Sequence, residues 1–135
     1  MNKLNFTSLE NAILSLREAL EEHGKDASNG FVRDCCIQRF EYSYELSYKM
    51  LKRYLEQTSI APVEIDYMSM QEIIRLSAEK GLVQHSWDKW HIYRMARNTT
   101  SHAYNQSKAA EVMLIIPEFY EEAVYLCNKL MERNS

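Results

Sequence analysis

Three glycines and two prolines in 135 residues leave this chain few places to turn. Between them the apolar side chains recur at three- and four-residue spacing, the period of one helix face. No repeat, low-complexity tract or run of alternating β-branched residues competes with that pattern. An all-α fold follows: an antiparallel helical bundle of about five helices with a kinked last helix. Hydrophobic residues make up 46% of the chain, enough to fill a core, and the length suits one helical domain over residues 1–135.

The first helix is expected from Thr7, whose hydroxyl can cap it while Glu10 reciprocates. Leu9, Ile13, Leu16 and Leu20 share its buried face and Gly24 is its stop. A longer second helix is expected from about Gly30 to about Gln57, with Ile37, Phe40, Tyr44, Tyr48, Leu51 and Leu55 as its stripe. Cys36, Leu46, Met50 and Tyr54 widen that stripe, so the helix can touch neighbours on two sides, within the bundle or across a dimer. The helical spacing of the tyrosines at 42, 44, 48 and 54 favours core or subunit interface over base-stacking platforms. TSIAPVEIDYMS reads as a connector, since Pro62 cannot sit in a helix interior without losing a hydrogen bond. Ser69 with Glu72 makes a second capping-box signal before a short helix ending near Gly81. The next helix begins near Ser86 and carries Trp87, Trp90, Ile92, Tyr93 and Met95. Ser107 or Asn105 can cap the last one. Its face of Val112, Ile116, Phe119, Ala123, Leu126 and Leu130 resumes beyond Pro117, so the proline should kink that helix rather than end it.

A formal charge of -3 supplies no general attraction to nucleic acid. The charge is uneven, however: residues 86–108 hold Lys89, Arg94, Arg97 and Lys108 against Asp88 alone. Cys35, Cys36 and Cys127 cannot all pair internally and follow no CxxC spacing, which suits buried, inert thiols in a reducing cytoplasm. No apolar run approaches the roughly 20 residues that cross a membrane. The opening MNKLNFTSLE lacks the apolar stretch of a secretion signal. A soluble cytoplasmic protein with no membrane partner is expected. The histidines at 23, 85, 91 and 102 make no closely spaced ligand set, and no Gly-rich phosphate loop occurs, so neither a metal nor a cofactor is expected.

The most basic part of the chain contains RNTTSHAY, residues 97–104, where the helical pattern breaks. Thr99, Thr100 and Ser101 compete for backbone groups through their hydroxyls and favour an ending or distortion there. In an unbroken helix His102 would point well around the cylinder from Arg97, whereas a turn could bring imidazole and guanidinium to one cleft. Two readings stand side by side. Arg97 and His102 can simply hold a loop in place, with Tyr104 a packed ring and Asn98 the cap of the preceding helix. Alternatively, His102 takes the proton of a ribose 2'-hydroxyl while Arg97 stabilises charge growing on the phosphoryl group, a metal-free cleavage of RNA that DNA cannot undergo. In that case Arg94 and Asn98 are candidate supporting contacts to phosphate.

RNTTSHAY matches the Rx4HxY motif of the HEPN superfamily, and specifically resembles its HepT toxin group, long described as nucleotidyltransferase substrate-binding proteins. RDCCIQRFEYSYELSYKMLKRYLE is similar to that group's long second helix, and WDKWHIYRMARNTTSHAY with IIPEFYEEAVYLCNKL to its last two. The resemblance spans about Leu9 to Met131. It implies an all-helical homodimer with the motif of both subunits lining a cleft. It also implies Arg97 and His102 as catalytic residues of metal-independent RNA cleavage, on tRNA or mRNA. Further, it implies neutralisation by a minimal nucleotidyltransferase antitoxin encoded by a neighbouring gene, with Tyr104 as the AMP acceptor. The group's older description implies the alternative, a non-catalytic substrate-binding subunit for a separately encoded nucleotidyltransferase.

Overall fold

Six α-helices carry the chain: α1 (Thr7–Lys25), α2 (Gly30–Thr58), α3 (Pro62–Asp66), α4 (Met70–Glu79), α5 (Trp87–Thr99) and α6 (Gln106–Arg133). A 3₁₀ turn over Thr100–His102 joins the last two. The computed structural model describes residues 3–134; Met1, Asn2 and Ser135, the ends of the expected domain, lie outside the described residues. No strand occurs among those described. The helix beyond the expected five is α3. Pro62 takes its first position, where the missing N–H costs no bond, so the connector's proline starts a helical turn rather than excluding one.

The ends of the helices follow from local chemistry, with two corrections. Thr7 is the first residue of α1 and not its cap. Buried Phe6 precedes it, and Asn5 Oδ1 accepts the Thr7 N–H at 2.9 Å. Gly24 lies inside α1, which continues to Lys25, because one exposed glycine costs a helix only about 1 kcal/mol and does not by itself stop it. A left-handed residue is a firmer helix stop, and among the described residues only Gly81 has one, at φ 74. There the Gly81 N–H reaches Ala78 O at 3.0 Å and the Leu82 N–H reaches Ser77 O at 2.9 Å, closing α4 in a Schellman turn. At its other end the Ser69–Glu72 capping box is fully formed. Asn29 caps α2 and Asn105 caps α6, each through its side-chain oxygen.

In the bundle α1 and α6 both pack on α2, and α5 packs on α6. At the junction of α2, α5 and α6 lie five aromatic rings, all buried: Phe40, Tyr44, Trp90, Tyr93 and Phe119. Phe119 meets Phe40 at 5.2 Å and Tyr93 at 5.6 Å in edge-to-face geometry, and Trp90 meets Tyr93 at 5.4 Å. Each such pair adds about 0.5–1.5 kcal/mol beyond its buried area. Helix α6 runs unbroken through Pro117, with Ile116 and Phe119 buried on either side of it. Ile92 and Met95, read from the sequence as part of the α5 pattern, are exposed. The buried stripe of α5 is Trp90, Tyr93 and Ala96, and among the described residues no helix covers the adjoining face. Cys36 and Cys127 are buried, and burial pushes both thiols up to about 11, while Cys35 is half-buried.

One fully buried carboxylate sets where α5 begins. Glu122 of α6 accepts the backbone N–H of Gln84 at 2.7 Å through Oε1 and that of His85 at 2.8 Å through Oε2, so each oxygen holds one amide of the loop before α5. Burial raises its pKa, and the two amides oppose that rise. The Trp90 indole N–H makes no direct hydrogen bond but lies near enough to oppose it too. Because the carboxyl binds its proton more tightly folded than unfolded, its contribution favours the fold at acid pH and declines as pH rises through the raised value. Glu122→Ala orphans both amides and is expected to cost about 2–4 kcal/mol, read as a lower urea midpoint. A change under about 0.5 kcal/mol would show that the loop does not depend on this residue.

Candidate functional site

Thr100 is where α5 gives way to the turn. Its hydroxyl lies 2.7 Å from Arg97 O and 2.6 Å from Glu41 Oε2, and donates to one of them at a time. The Thr99 hydroxyl donates to Met95 O at 2.9 Å and the Ser101 hydroxyl to Asn98 O at 3.3 Å. Three successive hydroxyls thus engage carbonyls of the last helical turn, and the backbone tightens to the 3₁₀ form expected of such a sequence. The Ala103 N–H bonds Thr100 O and the Asn105 N–H bonds His102 O, which turns the chain onto the Asn105 cap of α6.

Arg97 leaves α5 toward α2, its side chain about a quarter exposed. Its Nε and Nη2 both donate to Glu45 Oε1. Its Nη1 lies 3.4 Å from Thr100 Oγ1 and 3.8 Å from Glu41 Oε2. His102 is exposed, and its ring stands edge-on to Tyr104 at 6.3 Å. Tyr104 is 85% exposed and is not the packed ring expected if Arg97 and His102 only held a loop in place. A groove of about 430 Å³ runs beside it, lined among others by Arg33, Gln38, Glu41, Thr100 and Ala103. The turn therefore sets two groupings at one end of the bundle, Arg97 with Glu41, Glu45 and Thr100, and His102 with Tyr104. Among the described residues no hydrogen bond joins Arg97 to His102.

Asn98 is exposed within α5, and Thr100 takes the cap position expected of it, because the hydroxyls prolong the helix by one residue past Asn98. Arg94 is exposed and precedes Arg97 by three residues, so both cations lie on the side of α5 that faces Tyr44. Burial pushes the Tyr44 phenol up to about 12, and the charges of Arg94 and Arg97 oppose that shift. Lys89, one of the cations of residues 86–108, pairs with Glu118 at 3.2 Å. Among the described residues no three of His, Cys, Asp and Glu gather as metal ligands. Sequence reasoning missed Glu41 and Glu45 as site residues. Their i,i+4 spacing within QRFEYSYEL was the available signal, since it puts two carboxylates on one helix face.

A family model described as nucleotidyltransferase substrate binding protein like matches residues 4–132. The chain belongs to this family. That agrees with the resemblance carried by RNTTSHAY and QRFEYSYEL. A probable ribonuclease HepT of Haemophilus influenzae is 36% identical, aligned over 98% of this chain and 96% of the relative. A solved Haemophilus influenzae structure, described as revealing the fold of a substrate binding domain of a nucleotidyltransferase, is similar with a TM-score of 0.87 at 33% identity. That match covers 94% of this chain and 99% of the other. A Thermus thermophilus protein of known structure is similar with a TM-score of 0.72 at 26% identity, over 90% of this chain and 98% of its own.

Within this member of the substrate-binding family, the Thr100 hydroxyl is the link between the turn and α2. Thr100→Val keeps the shape and removes the link. It is expected to lower stability by about 1 kcal/mol and to speed hydrogen exchange at the Ala103 amide. Unchanged exchange there would show that the turn holds itself.

Proposed function

We propose that this protein is the toxin of a toxin–antitoxin pair, a metal-independent endoribonuclease acting on tRNA or mRNA in the cytoplasm. The carrying observation is that His102 and Tyr104 stand exposed on a turn beside Arg97, in a chain 36% identical to a probable ribonuclease. His102 takes the proton of a ribose 2'-hydroxyl, the freed oxygen attacks the adjacent phosphorus, and the bond from phosphorus to the 5'-oxygen breaks, leaving a 2',3'-cyclic phosphate and a 5'-hydroxyl whose proton comes from water. Arg97 stabilises the charge that grows on the phosphoryl oxygens. Arg94 and Asn98, exposed on the same helix, extend the polar surface toward flanking phosphates.

The protein acts as a homodimer with two such sites facing one groove. The exposed apolar strip of Ile92, Met95 and Leu114, which borders a cleft of about 380 Å³ between α5 and α6, supports an interface next to the motif. The antitoxin is a minimal nucleotidyltransferase encoded by a neighbouring gene, and it transfers AMP from ATP to the Tyr104 hydroxyl with release of pyrophosphate. The phosphodiester adds negative charge and bulk in front of Arg97 and so excludes RNA. The second reading is a non-catalytic subunit that holds substrate for a separately encoded nucleotidyltransferase. It is favoured by the match to a substrate binding domain of a nucleotidyltransferase.

His102 separates the two readings. Cleavage of tRNA and mRNA in EDTA is expected for the wild type and is expected to fall by about 10²-fold or more in Arg97→Ala and in His102→Ala. Absent cleavage with retained nucleotidyltransferase binding would leave the substrate-binding reading. Incubation with the partner and ATP should add AMP to the wild type and not to Tyr104→Phe, as read by mass. Equal labelling of both would remove Tyr104 as sole acceptor. Leu114→Asp is expected to convert a dimer to monomer in sedimentation, and an unchanged dimer would place the interface elsewhere.

A further inference from the structure

We infer that Glu45 stands in for the substrate phosphate: it holds the Arg97 fork in the ligand-free protein, and a polynucleotide phosphodiester binds by displacing it. This rests on the reading of Arg97 as a phosphate ligand. Nε and Nη2 are two of the donors with which a guanidinium grips a phosphate, and both are directed at a single oxygen of Glu45. On the other side Nη1 meets Thr100 Oγ1 and Glu41 Oε2. The fork is therefore occupied by oxygens of the protein itself. With two carboxylates against one guanidinium, the cluster carries a net negative charge that opposes an incoming anion.

The two carboxylates are held unequally. Glu41 has the Thr100 hydroxyl as a second donor within reach, at 2.6 Å, and its side chain is 40% exposed. Glu45 has no hydrogen-bond or ion-pair partner except Arg97 among the described residues, and its side chain is 57% exposed. Glu45 can swing into water while Glu41 stays on Thr100 and keeps Nη1 aligned. Once Glu45 has left, Nε and Nη2 present the geometry it occupied to a phosphodiester. Glu45 is thus a positioning residue: it keeps Arg97 extended from α5 for its ligand and sets how strongly that ligand must compete. An exposed ion pair is weak enough for this exchange to be reversible.

The test uses a fluorescently labelled all-2'-deoxy oligonucleotide, which the proposed reaction cannot cleave, and measures binding by anisotropy. Glu45→Gln is expected to bind about two- to fivefold tighter than wild type, with the gain shrinking as salt rises. The gain should vanish when Arg97→Ala is added, and Glu45→Ala should repeat the Gln result. Binding of Glu45→Gln equal to or weaker than wild type would overturn the inference. So would an equal gain in the Arg97→Ala background, or wild-type binding that Arg97→Ala leaves unchanged. In parallel, the all-ribose oligonucleotide reports cleavage, where a lower KM for Glu45→Gln is the signature that a merely structural role would not give. If no protein cleaves, the ribonuclease reading fails, yet the order of affinities on the deoxy probe still decides the role of Glu45.

Discussion

The junction of five buried aromatic rings fixes how α2, α5 and α6 meet, and the rest of the architecture is arranged around it. Phe119 stands at its centre, with Phe40 and Tyr44 from one helix and Trp90 and Tyr93 from another packed against its ring. Edge-to-face contacts tolerate little sliding, so α5 has a defined height and rotation relative to α2. That height decides that Arg97, two turns beyond Trp90, arrives opposite Glu41 and Glu45. Glu122 fixes the other end of α5 by taking two loop amides. Between a buried carboxylate at its start and a carboxylate pair near its end, a helix of 13 residues is held without a side-chain cap at its N-terminus.

The motif then exploits a weakness of that helix. Three hydroxyl side chains in a row tighten its last turn, and the chain leaves α5 with His102 and Tyr104 in solvent while Arg97 stays inside the ion-pair cluster. The Thr100 hydroxyl lies within reach of both Arg97 O and Glu41 Oε2 and donates to one at a time, so it serves either the helix end or the link to α2. A cation held by carboxylates thus lies at the same end of the bundle as an exposed imidazole and phenol.

Much of the fold was legible from local spacing. The stripes on α2 and α6, the Ser69–Glu72 box, the stop at Gly81 and the break at Thr99–Ser101 all depend on neighbours within one helical turn, and each was found where the pattern placed it. Misreadings arose where a residue had two local roles. Thr7 could cap or begin a helix, Gly24 could stop or merely weaken one, and Pro62 could exclude or initiate one; in each case neighbouring residues chose. At the site, the positions of Arg97, His102 and Tyr104 in a motif were readable, whereas Glu41 and Glu45, more than fifty residues earlier, were not.

That the chain is helical, where its long helices run, and that it carries the pattern of the nucleotidyltransferase substrate-binding family are all written in local residue order. These follow from period and short-range chemistry. Which partners the charged groups take depends instead on the folded bundle. It set Arg97 between two carboxylates of α2, buried Glu122 under the loop before α5, and left Tyr104 in water. The physical reason is that such pairings depend on how helices distant in sequence are rotated against one another, and that rotation is fixed by packing of the aromatic core rather than by any local spacing.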